Sequence, residues 1–167
     1  TDVIICDLES ESRGLANTQK QIEKTGKKCW SYFLDVTKKS QIQKMVSDIL
    51  SDIGSIDILV NNAGILTPTS LEEIDEKTWD NHFEVNTKGV LLMCQSVLPH
   101  MREKKSGRII NIASIAGRQG SPTQGHYAST KSAVITLTRV LAQEVGEAGI
   151  TVNAICPCLL YTSPSPR

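Results

Sequence analysis

Tyr127 and Lys131 are the pair from which chemistry can be built. Four residues apart on a helix, they share one face about 6 Å apart along the axis, so an ammonium can act on a phenol. A free tyrosine titrates near pH ~10, and a neighbouring cation stabilises the phenolate, each pKa unit being worth about 1.4 kcal/mol. Such a phenol can give or take a proton near neutral pH. The spacing taken alone also fits a surface Tyr and Lys on any helix. Ser114 stands thirteen residues before Tyr127, at the carboxyl end of an expected strand, where its hydroxyl faces the same cleft. Asn86 is an amide on an otherwise apolar stripe, a pattern that also fits a buried Asn satisfied by backbone.

The elements that must hold these residues alternate in type. Residues 3–6 form a short apolar run, the pattern of a strand buried on both faces, ending at Asp7. Leu15, Gln19 and Ile22 then recur at helical spacing, with Gly26 as the stop. A second strand over 29–34 precedes a helix over 40–53 that is closed by Gly54, and a third strand spans 56–60. Trp79, Phe83, Val90, Met93, Val97 and Met101 advance by threes and fours, which predicts one long helix over 78–101. A strand over 108–113, a helix over 127–145 and a strand over 150–155 complete the series. Alternation of this kind predicts right-handed βαβ units, hence an α/β fold with a doubly wound parallel sheet and helices on both faces. Ligands of such sheets bind beyond the carboxyl ends of the strands, where Asp7, Asp35, residues 61–64, Ser114 and Pro157 fall.

Asn61-Asn62-Ala63-Gly64, Asn86, Ser114 and the stretch from Tyr127 to Lys131 resemble, in order and spacing, the motifs of the short-chain dehydrogenase/reductase family, and the resemblance runs over residues 1–157. It implies a Rossmann-like NAD(P)-binding domain that moves a hydride between a nicotinamide cofactor and an alcohol or ketone. Tyr127 would be the proton donor or acceptor, and Lys131 would bind the nicotinamide ribose and support the phenolate. Ser114 would hydrogen-bond the reacting oxygen, and Asn86 would hold a water in a relay to Lys131. The cofactor contacts carried over are Asp7, Asp35, Val36, Asn61, Ala63, Gly64, Tyr127, Lys131 and Pro157. Asp7 ends the strand where the family contacts the adenosine ribose. A carboxylate there accepts from both hydroxyls and repels a 2′-phosphate, which favours NAD over NADP. The same Asp also fits a simple helix cap.

The resemblance makes a polyol or other secondary alcohol dehydrogenase the leading expectation. A 3-oxoacyl-acyl-carrier-protein reductase using NADPH is the alternative, and a non-catalytic nucleotide-binding or scaffolding protein is the alternative of another class. Family members associate through their two long helices, so a homotetramer or homodimer is expected. Loops over 65–70 and 116–125 would border the substrate, with Arg118, Gln119, Thr123 and Gln124 suited to a small polar molecule.

Composition narrows the field further. The 167 residues carry 18 Lys+Arg against 18 Asp+Glu, which gives no electrostatic reason to gather on nucleic acid or anionic lipid. No run approaches the ~20 apolar residues of a membrane span, and the first residues do not form a signal peptide, so a cytoplasmic protein is expected. Five cysteines without CxxC spacing suit buried free thiols. His82, His100 and His126 do not cluster with acids or cysteines, so no metal site is expected. His126 is read as a surface loop residue beside the cleft, and Trp30 and Trp79 as core or interface residues.

Two departures qualify the resemblance. The glycine-rich turn of the family is not among these 167 residues, and its strand would lie between the one ending at Asp7 and the one ending at Val60. An incomplete sheet, open along two inner edges and short of its first and last strands, is therefore expected. After Pro157 the chain reads Cys158-Leu159-Leu160-Tyr161-Thr162-Ser163-Pro164-Ser165-Pro166-Arg167, which looks like an in-frame translation of a sequencing adapter and also fits a Ser/Pro-rich disordered tail. On this reading the chain is a piece open at both ends that binds cofactor poorly and shows no NAD-linked oxidation.

Overall fold

The computed structural model describes residues 1–158. The expectation for 158–167 therefore concerns, apart from Cys158, residues outside the described ones. The chain divides into two compact units, Thr1–Ser55 and the segment from Ile56 onward, each with its own sheet.

In the first unit, β1 (Val3–Asp7) pairs in parallel with β2 (Cys29–Phe33), Val3 opposite Cys29 and Asp7 opposite Phe33. Two helices, α1 (Ser12–Glu23) and α2 (Lys39–Asp52), follow the two strands. The α2 stripe of Ile42, Met45, Val46 and Ile49 is buried, with Leu15 and Leu34, as its periodicity requires. Gly54 sits at φ +91°, a left-handed backbone that ends α2 without the strain a side chain would add. One expectation fails here. Residues 3–6 are half-buried or exposed instead of buried on both faces, because among the described residues β1 has a strand on one side only.

The second unit carries β3 (Ile58–Asn61), α3 (Glu76–Phe83), α4 (Gly89–Lys104), β4 (Gly107–Ile112), α5 (Ala116–Gln119), α6 (Gly125–Val145) and β5 (Ile150–Ile155). Its sheet has the order β3-β4-β5, all parallel, with Ile58 opposite Arg108 and Gly107 opposite Ile150. Parallel strands joined through helices confirm the α/β, Rossmann-like expectation. Each sheet is partial, and β1 and β3 each keep one edge unpaired among the described residues.

The single long helix expected over 78–101 is corrected. Between α3 and α4 lies a π-helical turn, Glu84–Lys88, which contains Asn86. A wider turn places extra chain in the helix and shifts the phase of everything before it. Val90, Met93, Val97 and Met101 are accordingly buried, whereas Phe83 is half-buried and Trp79 is 39% exposed, stacked on Phe83 at 5.0 Å. Trp79 is thus not a core residue.

A buried polar chain braces this sheet. The Asn61 amide donates to Asn111 Oδ1 at 2.8 Å, Asn111 donates to Thr138 Oγ1 at 2.8 Å, and Thr138 donates to Val134 O at 2.7 Å. It ties the end of β3 to β4 and β4 to α6. Asn111→Ala is expected to destabilise the chain by about 1–3 kcal/mol, since it removes the oxygen acceptor of the buried Asn61 amide and the donor to Thr138. Urea unfolding measures this, and an unchanged midpoint would refute the brace.

The thiols are free among the described residues, but only Cys29 and Cys94 are buried; Cys6 and Cys158 are exposed and Cys156 is half-buried. Burial pushes the Cys94 thiol up to about 11. No described helix is long and apolar enough to cross a membrane.

Candidate active site

Lys131 is the centre of the site. It lies one turn after Tyr127 on α6 and is only 4% exposed, its Nζ donating to Ile112 O at 2.8 Å and standing 5.7 Å from the centroid of the Tyr127 ring. A buried ammonium beside a phenol is the arrangement that the four-residue spacing predicts. Burial holds the Lys131 amine below the ordinary lysine range. On the backbone side of the same residue, α5 comes very close to α6 at Gly117. A Cβ built there would meet Lys131 C at 2.7 Å and Ser132 N at 2.8 Å, backbone that cannot step aside.

Asn86 is fully buried and aimed at the same place. Its Oδ1 accepts from Ile65 N–H at 2.8 Å, and its Nδ2 donates to Ile65 O at 3.0 Å and to Thr130 Oγ1 at 3.1 Å. Thr130 in turn donates to Tyr127 O at 2.7 Å. The amide therefore ties the π turn, the loop after β3 and the first turn of α6 together. The backbone-satisfied Asn that the sequence also allowed is what the hydrogen bonds show. The position against Lys131 is a second property of the same side chain: a Cβ at Gly64 would stand 3.2 Å from Asn86 Oδ1 and 3.4 Å from Lys131 Nζ. Glycine thus keeps open the space onto which both groups face.

Ser114 follows β4 by two residues and is half-buried, its Oγ accepting from Ala116 N–H at 3.1 Å. Ile115 N–H donates to Pro157 O at 3.0 Å, which brings Pro157 against the same turn. Asn61 ends β3 with its side chain inward, engaged with Asn111, while Ala63 is exposed in the loop beyond.

Asp7, Asp35 and Val36 belong to the first unit. Asp7 is exposed at the end of β1, and its carboxylate accepts from Leu8 N–H at 2.8 Å without capping a helix, since the N-cap positions of the two helical segments that follow are Leu8 and Glu11. The helix-cap alternative is therefore set aside. Asp35 accepts from Thr37 N–H and Oγ1 at 2.9 and 2.8 Å, and Val36 beside it is half-buried.

Several residues of the site escaped the sequence reading. Thr130 is hidden within the motif itself. His126 is not a surface loop residue: it is fully buried in the first turn of α6, its ring edge-to-face with buried His82 at 4.1 Å. The distinction depends on α3 packing against α6, a contact with no signature in local spacing. A cleft of about 430 Å³ lined by Leu71, Ile74, Asp75, Glu76, Trp79 and Asp80 contains none of the residues named for the reaction.

A parallel α/β arrangement with helices between the strands, a Tyr-Lys pair on a helix and a Ser just past a strand end defines an α/β class of fold. Within it, the chain belongs to the short-chain dehydrogenase family, whose sequence profile matches residues 1–165. The 3-oxoacyl-acyl-carrier-protein reductase of Staphylococcus epidermidis is 40% identical over 138 residues, 83% of this chain and 57% of that protein. A subunit of (2S)-[(R)-hydroxy(phenyl)methyl]succinyl-CoA dehydrogenase from Thauera aromatica is 40% identical over 160 residues, 96% of this chain and 63% of that protein. Among solved structures, a gluconate 5-dehydrogenase from Burkholderia cenocepacia in complex with NADP and tartrate superposes with a TM-score of 0.88 at 31% identity, covering 95% of this chain and 61% of that one. A short chain dehydrogenase from Mycobacterium smegmatis gives 0.89 at 30% identity, with 96% and 67% covered. The chain thus spans about three-fifths of the length of the curated relatives it matches.

Proposed function

We propose that these residues belong to an oxidoreductase that transfers a hydride between NAD(H) and a secondary alcohol or ketone, a polyol among the candidates. The observation that carries this reading is the buried Lys131 ammonium beside Tyr127, with Asn86 and the bare Cα of Gly64 converging on it. The open space at Gly64 and the charge of Lys131 suit a ribose, so Lys131 and Gly64 would hold the nicotinamide half and Asp7 the adenosine ribose. When bound, the nicotinamide supplies the hydride acceptor or donor.

The chain's own groups do the rest. In the oxidative direction Tyr127 takes the hydroxyl proton of the substrate, and in the reductive direction it returns one. The Lys131 charge favours the phenolate during that exchange. Ser114 can turn its hydroxyl toward the reacting oxygen and donate to it as charge develops. Asn86 holds the π turn and the Ile65 backbone in register with Lys131.

Asp7 supports NAD. Its exposed carboxylate keeps acceptor capacity for two ribose hydroxyls and repels a 2′-phosphate. A second reading has support of its own: relatives at 38–40% identity are 3-oxoacyl-acyl-carrier-protein reductases, and a relative of known structure holds NADP. The test is a coenzyme titration on a polypeptide of the relatives' length carrying these residues, with secondary alcohols and 3-oxoacyl thioesters as substrates. Asp7→Ala is expected to lower kcat/KM for NAD by about tenfold or more while NADP gains, as loss of hydrogen bonds to a charged group implies. An unchanged coenzyme ratio would remove Asp7 from the site.

A further inference from the structure

His82 and His126, 2% and 0% exposed, are buried imidazoles that the proposed reaction does not use. Their rings meet edge-to-face, centroids 4.1 Å apart and planes at 85°. His82 is held at both nitrogens: Nδ1 lies 2.7 Å from Thr78 O, and Thr67 N–H donates to Nε2 at 3.3 Å. A carbonyl at one nitrogen and an N–H at the other are satisfied together only by the neutral ring protonated at Nδ1. His126 has no hydrogen-bond partner at either nitrogen.

The pair stands between two segments that the reaction must keep aligned. Thr67 lies in the loop after β3, whose Ile65 is gripped by Asn86 and whose Thr69 N–H donates to Thr123 O at 2.8 Å. His126 immediately precedes Tyr127. We propose that His82 and His126 form a positioning pair: with both rings neutral they clamp the loop after β3 onto the first turn of α6 and hold Tyr127 in place, and protonation of His126 opens the clamp. Its consequence for turnover rests on the hydride-transfer reading; the clamp itself does not.

No described acidic side chain pairs with either ring. Asp75, which caps α3, and Glu76, Lys77 and Asp80 on it are exposed, and Asp75, Glu76 and Asp80 line the separate cleft. Glu84 and Lys88 of the π turn pair with each other at the surface. Arg118 on α5 is exposed, Lys131 on α6 is spent on Ile112 O, and Tyr127 is the neighbouring phenol. Burial lowers the pKa of His126 and the neighbouring His82 lowers it further, against the opposing pull of the Thr67 backbone.

The test is amide hydrogen exchange and ¹⁵N-imidazole NMR on the 167-residue chain between pH 8 and pH 5. Expected at pH 8 are a neutral Nδ1–H tautomer at His82 and a protected Thr67 amide; on acidification that protection falls about tenfold in step with ring protonation. His82→Phe should lose the Thr67 protection at every pH. His126→Phe, which keeps a ring in place and removes the proton acceptor, should carry the protection to lower pH. Thr67 exchange that ignores ring protonation, or that matches wild type in both variants, overturns the proposal. Because exchange is read without turnover, an inactive polypeptide of the relatives' length with an intact clamp would count against the hydride-transfer reading, and a pH-blind Thr67 in an active one would count against the clamp.

Discussion

Tyr127→Phe, made in a polypeptide of the relatives' length, is expected to lower kcat by about a thousand-fold, within the roughly 10²–10⁴ range that a positioned general acid–base contributes. The ring would stay where it is. Asn86, Thr130 and the Tyr127 carbonyl form their hydrogen bonds without the phenol oxygen, so folding and coenzyme affinity should hardly move. Steady-state kinetics with a thermal unfolding curve separate the two effects. Retention of more than about a tenth of the rate would mean that another group handles the proton.

Lys131→Met should cost about 10²–10³ in kcat and raise the coenzyme KM, because it keeps the apolar stem and removes the charge beside the phenol together with its donation to Ile112 O. The wild-type pH profile carries a sharper signature. Burial lowers the Lys131 pKa from its unfolded value of 10.5, so the folded protein gives up this proton at a lower pH than the unfolded chain does. As pH rises through the folded value the ammonium is lost and the rate should fall. Over the same window the unfolded chain binds more protons, so the contribution of this one group to stability should rise. Opposite slopes of rate and stability on the alkaline side are the expected outcome. In Lys131→Arg the charge persists, and that alkaline fall in rate should vanish. A rate that stays flat in wild type to pH ~10.5 would show that Lys131 titrates as if it were exposed.

Much of the site was legible in the sequence because it is written in short-range spacing. Tyr127 and Lys131 face each other because a helix repeats every 3.6 residues, and Ser114 falls just past β4 because an apolar run ends there. Apolar runs mark β5 to the residue and the other strands to within two. Periodicity marks Asn86 as a polar interruption of an apolar stripe but carries no information on its surroundings. The π turn that carries it breaks the stripe, and the resulting shift of phase exposes Trp79. Periodicity assumes a constant number of residues per turn, so it cannot announce where that number changes.

The sequence by itself determined the alternation of strand and helix, the parallel sheet it implies, and the chemical types poised at the strand ends, since each depends on residues within a few positions of one another. Tertiary structure decided the rest: Asn61 reaching Asn111 and Thr138, Gly117 letting α5 settle on the backbone of Lys131, and His126 buried against His82. These partners are separated by up to 50 positions. Burial of a polar group is a property of what packs over it, and only the assembled layers show which side chains lose water and find each other.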